Sequence, residues 1–248
     1  MRLSAKTFVK IITEINMKKI AIAIDGPGGA GKSTISKAVA KRLGIIYVDT
    51  GALYRTVGYY ARENGVSVEE SKTADKMLPL LPHISIEIKY VEGTQHVILN
   101  GEDLGDKIRQ PDISMYASAV SSVPCVRAFL LETQKDLAAK NSVIMDGRDI
   151  GTVILPEAEV KIFMTASSEA RAERRYKELL AKGVKAEFEA VLSELIERDT
   201  ADSTRAAAPL KPAEDAVIFD NSNYDFEGSV EYIINLVKEK TGVCEIEK

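Results

Sequence analysis

Side chains that commonly carry covalent or metal chemistry are scarce in this 248-residue chain, which has two cysteines and two histidines. Cys125 and Cys244 stand far apart and in no ligand-like spacing, so ordinary thiols in a reducing compartment are expected, not a disulfide framework. His83 and His96 lie outside every motif described below and have no obvious carboxylate or cysteine companions, which makes them structural or surface residues. No run approaches the roughly 18 apolar residues of a membrane span. Positive charge is not in excess either: 33 Lys and Arg against 37 Asp and Glu leave a net −4. That argues against a broad, nonspecific grip on nucleic acid, while leaving room for a small anion held by a few arginines. There is no internal repeat and no low-complexity tract.

With 45% hydrophobic and 28% charged residues, the composition is that of a globular protein with a full core. Residues 1–16 stand apart. Phe8, Ile11, Ile12 and Ile15 fall at helical spacing among Arg2, Lys6 and Lys10, too broken a pattern for a secretory signal. Met17 directly precedes the first strand, so the segment is either a dispensable extension or a docked helix.

Lys19 to Asp25 is a short, apolar, β-branched run that ends in glycines, the pattern of a buried strand. Ile35, Ala38, Val39 and Leu43 then form a helical stripe that Gly44 stops, and residues 45–49 give a second strand. Further strands are expected at 143–145, 160–164 and 216–219. A last helix carries Val230, Ile233, Ile234 and Val237. Such alternation implies right-handed crossovers and a parallel five-stranded sheet flanked by helices, an α/β class. Two stretches break it. Ile84, Ile86, Ile88 and Tyr90 alternate with Ser85, Glu87 and Lys89, then turn at Glu92-Gly93-Thr94 into a strand around His96–Leu99, a small antiparallel β insertion. The charged stretch from Arg171 to Arg205 suggests two helices, the second with Phe188, Val191, Leu192, Leu195 and Ile196 on its apolar side, forming a mobile cover. The expected division is an extension (1–16), core (17–65), insertion (66–106), core (107–170), lid (171–208) and core (209–248).

Gly26, Pro27, Gly28, Gly29, Ala30, Gly31, Lys32 and Ser33 fit G-x-x-x-x-G-K-[ST] without gaps, between a buried strand and an amphipathic helix. The glycines let backbone N–H groups turn inward on a β-phosphate, and the helix adds its positive end. Lys32 supplies a charge to the β- and γ-phosphates and the Ser33 hydroxyl a ligand for Mg²⁺; Thr34 completes the ATP-binding segment. Asp146, at the end of an apolar strand, is the expected carboxylate for the metal or its waters. The motif serves kinases, GTPases and motors alike. An Asn-Lys-x-Asp guanine-reading motif is missing, which disfavours a GTPase.

Four further segments resemble those of bacterial cytidylate kinases: Asp49-Thr50-Gly51-Ala52-Leu53-Tyr54-Arg55, Asp146-Gly147-Arg148-Asp149-Ile150-Gly151-Thr152, Ala166-Ser167-Ser168, and Glu197-Arg198-Asp199 with Asp202 and Arg205. The resemblance runs from about Lys18 to the last helix. It implies a three-part nucleoside monophosphate kinase, with core, acceptor-binding insertion and lid, that moves the γ-phosphoryl group of ATP onto CMP and dCMP with Mg²⁺. Arg55 and Arg148 follow the second and third strands, at the carboxyl edge of a parallel sheet where ligands bind, and guanidinium forks there suit the acceptor phosphate. The resemblance puts Thr50, Tyr54, Ser118, Arg127 and Asp149 around the acceptor nucleotide, Arg198 and Asp202 on its ribose side, and Arg205 on acceptor and phosphates. Asp149 is the sharpest clue to the base, because a carboxylate favours the amino donor of cytosine over the carbonyl of uracil. For Ser118 an exposed helix serine is the plain alternative, and for Arg127 a surface ion pair. Arg198, Asp202 and Arg205 share one face if their helix continues. Arg171, Arg174 and Arg175 open the lid, and which of them reaches ATP stays open. Lys32, Arg148, Arg198 and Arg205 are the expected catalytic set, in a cytoplasmic monomer without nucleic-acid or membrane partners. Another acceptor, such as uridylate or a small hydroxyl metabolite, is the alternative within the class, and a nonhydrolysing sensor the alternative outside it.

Overall fold

The computed structural model describes residues 19–181 and 183–244, so the segment 1–16 lies outside the described residues. Along the chain come β1 (Ala21–Asp25), α1 (Lys32–Leu43), β2 (Ile46–Asp49), α2 (Thr50–Glu63), β3 (Ile86–Val91), β4 (Thr94–Leu99), β5 (Glu102–Asp103), α3 (Pro111–Ser121), α4 (Pro124–Lys140), β6 (Val143–Gly147), β7 (Val160–Thr165), α5 (Ser168–Ala181), α6 (Phe188–Thr204), β8 (Val217–Asp220) and α7 (Phe226–Thr241), with short helical turns between some of them. Five strands form one sheet in the order β2-β6-β1-β7-β8, and every pairing in it is parallel.

Period-two alternation sends Ile22 and Ile24 of β1 to one face and Ala23 to the other. On the first face they pack with Val39 and Leu43 of α1 and with Val230, Ile233 and Val237 of α7. On the second, Ala23 meets Val48, Met145, Ile150 and Ile154, with Leu131 and Leu137 of α4 against them. Side chains as fully enclosed as Ile22, Ile24, Ile144 and Ile162 each contribute about 1.5–3 kcal/mol of transfer free energy. The order brings the carboxyl ends of β1, β2 and β6 side by side. Asp49 of β2 lies level with Asp146 of β6, and Asp25 of β1 with Gly147. That edge, beside the point where the strand order reverses, is where ligands bind in open α/β sheets.

The insertion has three antiparallel strands, β3-β4-β5. Glu92 and Gly93 both take positive φ, 50° and 75°, as the tight β3–β4 turn requires. The third strand, two residues long, escaped the alternation pattern. It also changes the surroundings of His96, expected to lack a carboxylate: β5 brings Asp103 Oδ2 to 2.7 Å from His96 Nδ1. The insertion is tied to the core through β2, an edge strand with one side of its backbone free. Gln95 accepts the Asp49 N–H at 2.8 Å and donates to the Asp49 carbonyl at 3.2 Å, and the Tyr90 hydroxyl donates to the Tyr47 carbonyl at 3.0 Å.

In the lid pair, α5 and α6 close on a small cluster of Ala172, Val191 and Leu195, with Phe188 and Leu192 half-buried beside it. Ile196, expected on this apolar side, is exposed. Among the described residues no single helix is long and apolar enough to cross a membrane.

Candidate active site

After β1 the chain turns through the glycine loop and enters α1 at Lys32, with Gly31 at φ 86° as the residue before the helix. Glycine at the start of this turn is obligatory. Gly26 has φ 148°, and a Cβ there would lie 1.9 Å from the Met164 carbonyl oxygen. Lys32 is buried, and its Nζ donates to the carbonyls of Gly26 and Pro27, both at 2.7 Å. Burial, and after it the nearby Arg148 guanidinium, push the ammonium down to about 7. One helical position on, the Ser33 hydroxyl donates to Asp146 Oδ2 at 2.7 Å, while Tyr47 donates to Asp146 Oδ1 at 2.8 Å. Burial and the neighbouring Asp49 carboxylate hold the Asp146 carboxyl above its usual range. The two residues expected at a magnesium ion are thus brought together, in a place where an added cation would offset a disfavoured negative charge. Among the described residues no group of three His, Cys, Asp or Glu could hold a metal. Mg²⁺ does not need one, since it is often held by one or two carboxylates together with substrate phosphates and water.

The acceptor side is a ring of alternating charge. Asp49 caps α2, accepting the Ala52 N–H at 2.9 Å, and its second oxygen meets Arg55 at 2.7 Å. Arg127 pairs with Asp149 and lies 5.8 Å from the centre of the Tyr54 ring. Arg148 Nε donates to Asp202 at 2.8 Å. Arg205 Nη1 donates to the Ser121 hydroxyl at 3.1 Å, and Nη2 stands 3.7 Å from Asp149. Burial pushes the Asp149 carboxyl up, opposed by Arg127 and Arg205. At Asp202 burial is the largest single influence and raises, but Arg148, Arg198 and Arg205 together hold the carboxyl down. Arg198 is pushed down to about 10 by burial and then by Arg148. Three guanidinium donors in this ring are buried and have no hydrogen-bond partner: Nε of Arg55, Nε of Arg198 and Nη2 of Arg205. Buried donors are normally satisfied, and a cluster of cationic ones suits an anion held by guanidinium groups.

A family model described as "Cytidylate kinase" matches residues 22–239. The chain belongs to the cytidylate kinase family. It is 50% identical to a cytidylate kinase of Caldicellulosiruptor saccharolyticus over 220 residues, covering 89% of this chain and 96% of that one. It is 48% identical to a cytidylate kinase of Thermosipho melanesiensis over 219 residues, covering 88% and 97%. Among solved structures, an uncharacterized protein from Eubacterium ventriosum shares the fold, with TM-score 0.50 at 14% identity over 90% of this chain and 99% of that one.

In this member of the cytidylate kinase family, Lys32, Ser33, Tyr54, Arg55, Arg127, Asp146, Arg148, Asp149, Arg198, Asp202 and Arg205 gather along one edge of the sheet. Some expected details differ. The Thr50 hydroxyl is engaged with the Asp146 carbonyl at 2.7 Å. Ser118 is half-buried and joins through its carbonyl, which accepts from the Ser121 hydroxyl at 2.8 Å. Ser121 is the serine that meets both Arg205 and, through its carbonyl, Arg127. Arg205 is not on one helical face with Arg198 and Asp202: α6 ends at Thr204, and Arg205 follows in extended backbone. The lid arginines have partners. Arg171 is buried and grips the glycine loop at the Gly28 carbonyl, 3.0 Å away, and Asp199 at 2.6 Å. Arg174 binds Asn221, whose amide holds the Ala30 carbonyl at 2.9 Å, and Arg175 pairs with Glu178. Sequence reasoning missed Asp25, Gln95 and Ser121, and gave Asp49 no role of its own. For Asp49 an aspartate just before a helical run was a capping signal.

Proposed function

We propose that this chain transfers the γ-phosphoryl group of ATP to CMP, and also to dCMP, giving ADP and the nucleoside diphosphate. The observation that carries the reading is the set of buried guanidinium donors without a hydrogen-bond partner on Arg55, Arg198 and Arg205, with Arg148 beside the glycine loop. ATP binds at Gly26–Thr34. Its phosphates draw Lys32 away from the loop carbonyls, where its charge is disfavoured, into a position where it is needed. Ser33 and Asp146 would hold Mg²⁺, which would supply charge cancellation on the phosphates. CMP lies on the insertion side. Arg55, Arg148 and Arg205 grip its phosphate, Asp149 accepts from the cytosine amino group, Arg127 donates to the base acceptors over Tyr54, Thr50 and Ser118 line the base, and Arg198 and Asp202 face the ribose.

The attacking phosphate oxygen is already anionic, so no general base has to remove a proton, in keeping with the two histidines, His83 and His96, both lying in or beside the insertion. Catalysis reduces to aligning two polyanions and cancelling the charge between them, the work of Lys32, Arg148, Arg198 and Arg205. The lid, residues 171–208, closes once both substrates are bound and keeps water from taking the phosphoryl group. In this reading the chain works as a cytoplasmic monomer. The test is an ADP-release assay over CMP, dCMP, UMP, AMP and GMP, with and without Mg²⁺. CMP and dCMP should be clearly preferred and activity should require the metal; a preference for UMP over CMP would overturn the base assignment.

A further inference from the structure

β1 ends on Asp25, directly before the glycine loop, and the mechanism above gives this carboxylate nothing to do. Yet it is buried and both its oxygens are committed. Oδ1 accepts the Ile150 N–H at 2.7 Å and Oδ2 the Gly151 N–H at 2.8 Å. Those are the first two backbone donors after Arg148 and Asp149. Asp149 has φ −149° and ψ 28°, values of neither helix nor strand. Its direction therefore depends on what anchors the residues on either side.

We infer that Asp25 is a positioning residue for the acceptor site, holding the Ile150 and Gly151 N–H groups so that Arg148 and Asp149 leave β6 already placed among the arginines beside the glycine loop. The surroundings are built around this clamp. In the sheet Asp25 lies level with Gly147, the last residue of β6. A Cβ on Gly147 would come within 2.6 Å of the Ile150 Cδ1, so the Ile150 side chain folds back over that glycine. A Cβ on Gly151 would meet Lys161 Cδ at 3.3 Å and Asp25 Oδ2 at 3.4 Å, so the carboxylate and the lysine stem close on bare backbone there. Because Asp25 also leads straight into Gly26, one residue joins the strand that carries the donor loop to the residues that read the acceptor. A carboxylate suits the task because it offers two acceptors and no donor.

The inference rests on Arg148 and Asp149 being acceptor contacts. Failure of that reading would appear as a missing CMP preference in the unsubstituted chain, whereas failure of this one leaves that preference intact. The test is Asp25→Asn, which keeps the shape but turns an NH₂ group toward one of the two N–H donors. The KM for CMP should rise roughly ten-fold or more, as expected when a hydrogen bond to a charged group is lost. The preference for CMP over UMP should narrow, and the KM for ATP should change several-fold less. An unchanged KM and selectivity for CMP overturn the inference, as does a rise confined to the KM for ATP. A measurement on the unsubstituted chain does not depend on the variant folding. Amide hydrogen exchange at Ile150 and Gly151 should already be slow before CMP is added; rapid exchange that slows only with CMP would refute a preset clamp.

Discussion

Asp149→Asn separates the chemistry of base reading from its shape. The side chain is 4% exposed and is flanked by two guanidinium groups, paired with Arg127 and 3.7 Å from Arg205. Asparagine fills the same space, still accepts from Arg127 through one oxygen, and removes a charge that burial already disfavours. The stability cost should therefore fall below the roughly 3–5 kcal/mol of breaking a buried ion pair outright. A loss of about 1–2 kcal/mol would lower the melting temperature by only several degrees in a chain of this size. The effect on substrate choice is larger. In the proposed site cytosine presents an amino donor to this carboxylate, and a hydrogen bond to a charged group is worth about 1.5–3 kcal/mol. The kcat/KM for CMP should then fall roughly 10- to 150-fold. Uracil presents a carbonyl there, which the new amide N–H can serve, so UMP should lose nothing or gain. The CMP-to-UMP ratio of kcat/KM, measured by ADP release at saturating ATP, should drop by about two orders of magnitude. A folded variant whose ratio stays within about three-fold of the original would refute the assignment of Asp149 to the base.

Lys32→Ala should cut turnover by roughly 10²–10³-fold through lost charge stabilisation. Because burial disfavours the ammonium, thermal stability at neutral pH should stay within about 1 kcal/mol of the original; unchanged turnover would remove Lys32 from the mechanism. Gly26→Ala sets a Cβ 1.9 Å from the Met164 carbonyl oxygen, so denaturant unfolding should show a loss above about 3 kcal/mol or no folded protein. Asp25 gives a pH signature: burial first, against its two backbone hydrogen bonds, raises its carboxyl from 3.8 to about 6. Between those values the folded chain holds a proton that the unfolded chain has released. The Asp25 contribution is therefore most favourable below pH 4 and declines as pH rises through 6, by at most about 3 kcal/mol. Unfolding free energies of the chain and of Asp25→Asn, followed from pH 4 to 7, should diverge by that slope, and parallel curves would contradict it.

The parallel sheet was legible because β1, β2, β6, β7 and β8 are apolar, β-branched runs separated by helical stripes, a pattern that solvent exclusion on both faces dictates. The glycine loop was legible because its chemistry is contiguous. Side chains whose role depends on register across distant strands were not. Gln95 of β4 looks like a polar surface residue and Tyr90 of β3 like one more member of an apolar face, yet both meet the free edge of β2. Asp25 looks like the end of a strand until β6 brings Ile150 and Gly151 opposite it. Arg171 carries the charge of a surface helix, but packing of α5 against the glycine loop buries it. Arg205 would share a face with Arg198 and Asp202 only if α6 continued; the helix stops one residue short, and the guanidinium reaches Ser121 and Asp149 from extended backbone. β5 is too short to leave an alternating pattern, and with it the pairing of His96 with Asp103 was hidden.

The central claim is that guanidinium groups from separate segments converge on a bound CMP beside the donor loop. A crystal structure with CMP and a nonhydrolysable ATP analogue tests it most directly. Arg55, Arg148 and Arg205 should lie within hydrogen-bond distance of the CMP phosphate, with Asp149 on the cytosine amino group and Lys32 turned from the carbonyls of Gly26 and Pro27 to the analogue's phosphates. CMP bound elsewhere, or beside the donor loop with these arginines still paired only to Asp49, Asp202 and Asp149, would contradict it.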